Sequence, residues 1–526
     1  MAFIAPGVPG FFVLQSLVLS LNLLRMSLLP FAQLPSTNNL FLDFVESFDR
    51  VAEFYPRPDH IRNVNIPHRA ELCDVLLRQN ESWGNPATQS LLQKFRQSNT
   101  GCVITGQQIG ILTGPLYTIW KALTMIRLCS DYEKAGIPCI PIFWMATEDH
   151  NLHEISSFAL LKQDLNLLPF SLKEHLFLRR QPTGTVPYDD REIRMILVRA
   201  FQETQRPEAR EFYSNGTLTS GFARTLLWLL KDFPILMIDP SDPELKRIAA
   251  PFFKKFFDRS KKLLSLLKEQ NVRLKERKYP VQVQMEEDRV PLFKIENNER
   301  IPLNIENHSS LEAEKLSPSA LLRPVFQDYL FPTIAYIGGP AEIAYFAQLH
   351  PWYKEMEVDQ PGLHSRASVT LIPPVTRKFL ESVHLKPEEL YLQEDTLIDA
   401  LLDHEGMKQT RQEIRNLENT LKTSWKRIQE KALEIDPTLE KNLQTAERKM
   451  EYQLQKMERK AFLAAKRKNI LLAEQIRKAK NVIYPDEKPQ ERYLNIFSFA
   501  SRLPEMIHQI YEQIEWDTKA HQYIDL

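Results

Sequence analysis

Gly101-Cys-Val-Ile-Thr-Gly-Gln-Gln-Ile-Gly-Ile-Leu-Thr-Gly-Pro-Leu-Tyr-Thr-Ile-Trp-Lys121 holds four of the chain's fifteen glycines within its first fourteen residues. A short apolar run, Cys102 to Ile104, enters a turn rich in glycine and amides. Pro115 stands where a first helical turn would begin, a position that has no use for the N–H that proline lacks. Behind it Leu116, Ile119, Trp120, Leu123 and Ile126 recur at helical spacing. The reading is strand, glycine loop, helix, which aims backbone N–H groups and a helix dipole at an anion. Thr105, Gly106, Gln107, Gln108, Thr113, Gly114 and Tyr117 are the candidate binding residues of this segment. Lys121, two turns into the helix, either reaches a phosphate or carboxylate or is a surface lysine.

Working outward, Ile137 to Ala146 is an apolar run of strand length with no polar alternation, as in a strand covered on both faces. Glu148, Asp149, His150, His153 and Glu154 crowd its C-terminal end. Parallel sheets bind ligands beyond their strand C-termini, so this cluster and the glycine loop are expected to face one crevice. Asp149 or His150 could act as general base on an attacking amine while the other carboxylates, Glu148 among them, orient the substrate. The same groups could instead bind a divalent metal, or merely cap the turn and pair with lysines. Their spacing matches neither HExxH nor HxxEH, and no metal site is assigned. The glycine loop matches neither GxGxxG nor GxxxxGK[ST].

A second segment, Ile334-Ala-Tyr-Ile-Gly-Gly-Pro-Ala-Glu342, repeats the strand, glycine turn, proline, helix layout. Gly338 and Gly339 would let backbone approach a ligand, and Glu342 sits in the first helical turn. Arg323 lies among apolar residues, where it needs either a substrate carboxylate or a structural salt bridge. Asp239, at the end of the apolar run Phe233 to Pro240, either binds a hydroxyl or caps the next turn.

At 526 residues the chain is too long for one core. Lys+Arg and Asp+Glu are 67 each, so the whole molecule has no attraction for polyanions. Cys73, Cys102, Cys129 and Cys139 show no paired spacing, which fits buried thiols in a reducing compartment, the cytoplasm. The first 24 residues carry no charge, but Pro6 and Pro9 break the apolar run and no basic segment precedes it. Residues 1–25 therefore read as an extension before a start at Met26, and no segment reaches membrane-spanning length.

The organisation expected is a helical lead-in and first half of the core over 26–155, with a cap over 156–230. The core continues over 231–278, a small antiparallel insertion including Val281-Gln-Val-Gln-Met fills 279–315, and the second half of the core covers 316–405. From about 406 to 485 apolar residues step by fours and threes, including Leu421, Trp425 and Ile428, then Met450, Leu454 and Met457 beyond Asp436-Pro437. That predicts an antiparallel coiled-coil hairpin with helices of about 35–40 residues, followed by a return to the core over 486–526. Between 440 and 480 there are 12 Lys/Arg against 5 Asp/Glu, either a solvated coiled-coil face or a nucleic-acid arm.

The stretches Val103 to Ile119, Pro141 to His150 and Leu316 to Tyr345 closely resemble the BshC family, cysteine-adding enzymes of bacillithiol biosynthesis. Asp239-Pro-Ser-Asp-Pro243 and Gln490 to Phe497 agree with the same family, and the likeness runs nearly the whole length from Met26. The resemblance implies an α/β fold: a Rossmann-like parallel-sheet core, related to class I aminoacyl-tRNA synthetases, with connective insertions and a C-terminal antiparallel α-helical coiled coil that pairs two chains. It implies a ligase that joins L-cysteine to the amine of glucosaminyl-malate. Thr113 to Tyr117 then stands where the synthetases carry their HIGH motif, but without a histidine, and a KMSKS-type lysine loop is also missing. Asn151 replaces a commoner acidic residue. Activating the carboxyl would take ATP with Mg²⁺. A tRNA-binding relative of the synthetases using the basic hairpin, or a non-catalytic dimeric scaffold, are the competing readings.

Overall fold

The computed structural model describes residues 26–35, 37–57, 64–151, 155, 157–171, 180–188, 191–204, 206, 210–214, 216–285, 289–304, 312–402, 406–468 and 470–526. The extension 1–25 and the cluster members His153 and Glu154 lie outside them. The chain forms two compact units, one of residues 1–162, 167–373 and 489–526, the other of 163–166 and 374–488.

The strands of the first unit, in chain order, are β1 (Met26–Pro30), β2 (Gly101–Gln107), β3 (Cys139–Met145), β4 (Phe158–Leu161), β5 (Leu167–Phe170), β6 (Leu236–Ile238), β7 (Arg289–Glu296), β8 (Glu299–Asn304), β9 (Leu316–Pro318), β10 (Thr333–Gly338), β11 (Gly362–Ser365), β12 (Val369–Ile372) and β13 (Ala520–Asp525). Its centre is a five-stranded sheet in the order β11-β10-β2-β3-β6, with every neighbouring pair parallel. β2 and β3 are buried along their length except for the last residue of β2, as their unbroken apolar character requires. From β2 the chain winds one way to β3 and β6, then returns to the other side for β10 and β11. The order therefore reverses between β2 and β10, which places the crevice of such a sheet beyond their C-termini.

The helix Tyr117–Lys134 packs against β2, β3 and β10. Cys102, Ile104, Ile140, Ile142, Trp144, Leu236 and Ile238 instead join one hydrophobic cluster with residues of helices Arg69–Ser82, Ala250–Glu276 and Pro340–Met356. Successive strand residues serve opposite faces, so one apolar run covers both.

Three expectations change. The lead-in is not wholly helical: β1 pairs antiparallel with β13, nearly the whole chain length away. The 279–315 insertion contains the antiparallel pair β7-β8, which β9, from the start of the segment expected as core, extends to the set β8-β7-β9, but Val281 to Met285 form no strand. The N–H and carbonyl of Val283 bond to the side chain of Gln348 instead, so the alternation there reflects an extended segment tied to a helix. The helix after the glycine loop starts at Tyr117, with Pro115 bridged to Asn495.

In the second unit the helices Gly406–Ile435 and Glu440–Lys468 flank a turn at Pro437–Leu439, where Asp436 accepts the Thr438 N–H. Contacts Arg411–Glu458 at 3.1 Å, Lys422–Glu451 at 3.5 Å and Gln429–Glu447 at 3.1 Å run in opposite directions along the two helices, which makes the pair antiparallel. The helices have 30 and 29 residues, shorter than expected, and Ile470–Ile483 is a separate helix. Ile428 and Met457, read as stripe residues, are exposed in the single chain, as is Ile435 at the end of the first helix.

Candidate active site

A cavity of about 420 Å³ opens beyond the C-termini of β2, β3 and β10. Gly106, Gln107 and Gln108 line it from the end of β2, Tyr117 and Lys121 from the following helix, and Glu148 and Asp149 from beyond β3. Arg323, at the start of the helix Arg323–Leu330, and Gly339 and Glu342 of the second glycine segment complete it. Residues more than 200 positions apart thus share one wall, as both glycine segments leave strand C-termini at the switch point.

Lys121 is 3% exposed, which excludes the surface reading. It is ion-paired with Glu342 and donates to Gly106 O at 2.8 Å and Gln107 Oε1 at 2.9 Å. Burial pulls the Lys121 ammonium below its ordinary value, opposed by Glu342. Burial acts against the charge of Glu342 as well, yet Lys121 and the Gly339 N–H hold its carboxyl below the usual range. The Glu342 carboxylate also accepts from Tyr336 OH at 2.7 Å and Gly339 N at 2.8 Å.

Arg323 forms no structural salt bridge: among the described residues no carboxylate lies within 4.0 Å. Its guanidinium donates to Gln327 Oε1 at 2.9 Å, Tyr336 OH at 3.2 Å and Tyr345 OH at 2.7 Å, all neutral. Burial works against its charge, but Tyr336, Tyr345 and Glu342 outweigh it and raise its pKa.

Glu148 Oε2 accepts from Lys246 Nζ at 2.8 Å, while Glu148 Oε1 is buried with no partner among the described residues. Burial pushes this carboxyl above the usual range, against the pull of Lys246. Asp149 accepts from Gln108 Nε2 and from the His150 backbone N–H at 2.7 Å. Arg300 lies 3.8 Å from Asp149 and is fixed by Ser317 Oγ at 3.0 Å and Pro318 O at 2.6 Å. His150 is not a wall residue of the cavity. Its ring nitrogen stands 3.4 Å from Arg300 and its ring packs on Phe293, and burial together with Arg300 lowers its pKa. Asp239 is a cap, accepting from Ser241 N and Oγ. Among the described residues no three His, Cys, Asp or Glu side chains converge to hold a metal ion.

Thr105, Thr113, Gly114 and Gly338 stand behind the wall. Thr105 Oγ1 ties β2 to Ile337 O at 2.9 Å, and Gly338 O accepts the Arg366 N–H at 2.9 Å. Leu112, Thr113 and Gly114 all have positive φ, in a turn clamped from outside. Leu112 N donates to Tyr213 OH, Leu116 N to Leu494 O, and Asn495 Nδ2 to Leu112 O and Gly114 O. These backbone donors, and that of Gly339, are already bonded within the protein.

Sequence reasoning missed Arg300, Arg366 and Arg492, which line the cavity, and Lys246 behind it. Arg366 forms a buried bidentate pair with Glu491, at 2.9 and 2.6 Å. The only signal available for Arg492 and Glu491 was their place in the segment Gln490 to Phe497.

A parallel sheet with a polar cavity at its switch point is a Rossmann-like architecture. A family model described as "Bacillithiol biosynthesis BshC, N-terminal Rossmann-like domain" matches residues 29–367, and its partner, "Bacillithiol biosynthesis BshC, C-terminal coiled-coil domain", matches 369–526. The "Putative cysteine ligase BshC" of Solibacter usitatus is 31% identical, over 93% of this chain and 98% of that protein. The protein of the same name in Koribacter versatilis is 30% identical, over 90% of this chain and 94% of that protein. A solved structure from Campylobacter jejuni, described as an arginyl-tRNA synthetase, shares 12% identity at a TM-score of 0.24, covering 85% of this chain and 99% of that one, and carries no argument. The chain belongs to the bacillithiol biosynthesis BshC family.

Proposed function

We propose that the chain is a cysteine ligase that forms an amide between the carboxyl of L-cysteine and the amine of glucosaminyl-malate in bacillithiol biosynthesis. The observation that carries this reading is the convergence of Arg323, held only by neutral groups, and Glu148, with one buried carboxylate oxygen unpartnered, on one cavity. A carboxylate of the malyl group suits Arg323. The sugar amine enters as an ammonium, and the Glu148 carboxylate at the cavity wall is the acceptor for its proton. The raised pKa of Glu148 makes it a stronger base than an ordinary carboxylate. Asp149, fixed by Gln108, orients the amine, and His150 supports Arg300 from outside the wall.

ATP with Mg²⁺ would supply activation of the cysteine carboxyl. Its phosphates would meet Arg366, whose Nε lies beside Gly339, rather than backbone donors. Mg²⁺ would enter with the phosphates, because the described residues supply no three-ligand set. The exposed apolar residues of the hairpin support pairing of two chains. No described helix is long and apolar enough to cross a membrane, and a reducing cytoplasm suits the four free, buried cysteines.

Purified protein incubated with cysteine, glucosaminyl-malate and ATP is expected to yield bacillithiol with AMP or ADP. No product from the complete mixture would end the ligase reading, and product without nucleotide would remove ATP from it.

A further inference from the structure

The charges around the cavity can be paired off. Lys121 is matched by Glu342, Arg300 by Asp149, Arg366 by Glu491 and Lys246 by Glu148. Two wall cations remain without a carboxylate within 4.0 Å among the described residues, Arg323 and Arg492. Arg323 is half-buried, and Arg492 is an exposed wall residue. An exposed arginine is ordinarily mobile and solvated, but the backbone carrying this one is fixed on both sides. Gln490 is fully buried and bonds both backbone groups of Leu371 at 2.8 Å. Glu491 is 2% exposed and saturated by Arg366, Ser368 Oγ and the Val369 N–H. Asn495 is fully buried and clamps the glycine turn.

We propose that the segment Gln490–Asn495 is part of the active site, and that Arg492 is a substrate-binding residue forming, with Arg323, the two poles of a site for a dianion. The dianion class follows from two uncompensated cations in one cavity. A dicarboxylate that meets both avoids leaving either charge without a counter-ion on closure. Identifying it with the malyl group of glucosaminyl-malate rests on the ligase reading above.

The test is titration calorimetry of the full-length protein with L-malate, on wild type, Arg492→Ala and Arg492→Lys. Because Arg492 is exposed and has no partner to strand, the melting temperature is expected to stay unchanged. Loss of one charge-assisted hydrogen-bonding group should weaken L-malate binding about tenfold or more in Arg492→Ala. Arg492→Lys should recover part of it, keeping the charge but losing the planar fork. Equal affinity in wild type and Arg492→Ala, or no L-malate binding by wild type, overturns the assignment. If Arg492→Ala weakens L-malate binding but the wild type forms no amide from glucosaminyl-malate, the dianion site stands and the ligase reading falls.

Discussion

Replacing Lys246 with methionine isolates what the buried pair beneath the cavity does. Lys246 is 1% exposed, its Nζ 2.8 Å from Glu148 Oε2 and 4.9 Å from the centre of the Phe326 ring. Methionine keeps most of the stem volume, so little of the effect is lost packing. What remains is a buried carboxylate with neither oxygen satisfied, since Oε1 already has no partner. Removing one member of such a pair costs about 3–5 kcal/mol. At ~2.1 cal/mol/K of unfolding entropy per residue, a unit of about 400 residues loses about 4–6 °C of melting temperature. The loss depends on pH with a definite sign. Burial already raises the Glu148 carboxyl, and deleting Lys246 removes the strongest influence that lowers it. From the unfolded value of about 4.3 up to that raised native value, the folded variant binds more protons than the unfolded chain, so its stability falls as pH rises through the window. Thermal melts should therefore show a small deficit near the bottom of that window and the full one above it. Adding Glu148→Leu should restore most of the stability, because an apolar pair of similar volume replaces an ion pair without loss, while leaving ligase activity absent. A deficit equal at both ends of the window, or one that Glu148→Leu deepens, would refute the account.

Three further outcomes follow from local geometry. In Gly110→Ala the new Cβ would meet Gly114 Cα at 2.6 Å, backbone against backbone; a destabilisation of roughly 1–3 kcal/mol should appear in urea unfolding together with lost activity. Asp149→Asn can turn an NH₂ toward Gln108 Nε2 and is expected to lower kcat/KM by about 10²-fold, whereas His150→Ala, outside the cavity wall, should leave kcat within about threefold, both read by steady-state assay. Joining residue 373 to 489 through a short Gly/Ser linker should leave a folded, monomeric protein by light scattering and circular dichroism, because Leu371 and Gln490 bond directly across that gap.

The strands that carry the site were legible because their signals are local. Cys102 to Ile104 and Ile137 to Ala146 are apolar without alternation, and each is followed by turn chemistry. Gly338-Gly339-Pro340 repeats that grammar, so both halves of the cavity could be read before their proximity was known. β1 was not legible: Met26 to Pro30 becomes a strand only because β13 lies beside it. Lys121 could not be separated from a surface lysine, since its burial depends on Glu342, supplied by the other half of the sheet. Arg300, Arg366 and Lys246 were missed for the same reason. Each is a charge whose partner lies far along the chain, 125 residues away for Arg366 and Glu491, and no periodicity encodes such a pairing. The glycines of the first turn also have a packing role that their spacing did not reveal. Gly110 and Gly114 approach one another's backbone, so the small residues permit a tight turn; the Leu112 and Leu116 N–H groups are taken by Tyr213 and Leu494, while Asn495 donates to the carbonyls of Leu112 and Gly114.

The composition of the cavity wall bears on how the two matched segments of the chain relate. The Rossmann-like match ends at residue 367, one position beyond Arg366, and the coiled-coil match contains Glu491, Arg492 and Asn495. A cavity lined by backbone N–H groups would belong to the first segment alone. Here the first segment ends on an arginine whose neutralising carboxylate, Glu491, belongs to the second, and its glycine turn is clamped by Asn495. Burying Arg366 without Glu491 would leave an uncompensated charge, and the turn at Leu112–Gly114, with three consecutive positive φ values, would lose the side chain that bonds its carbonyls. In the sequence, the hairpin thus lies between two stretches of the first unit that line one cavity.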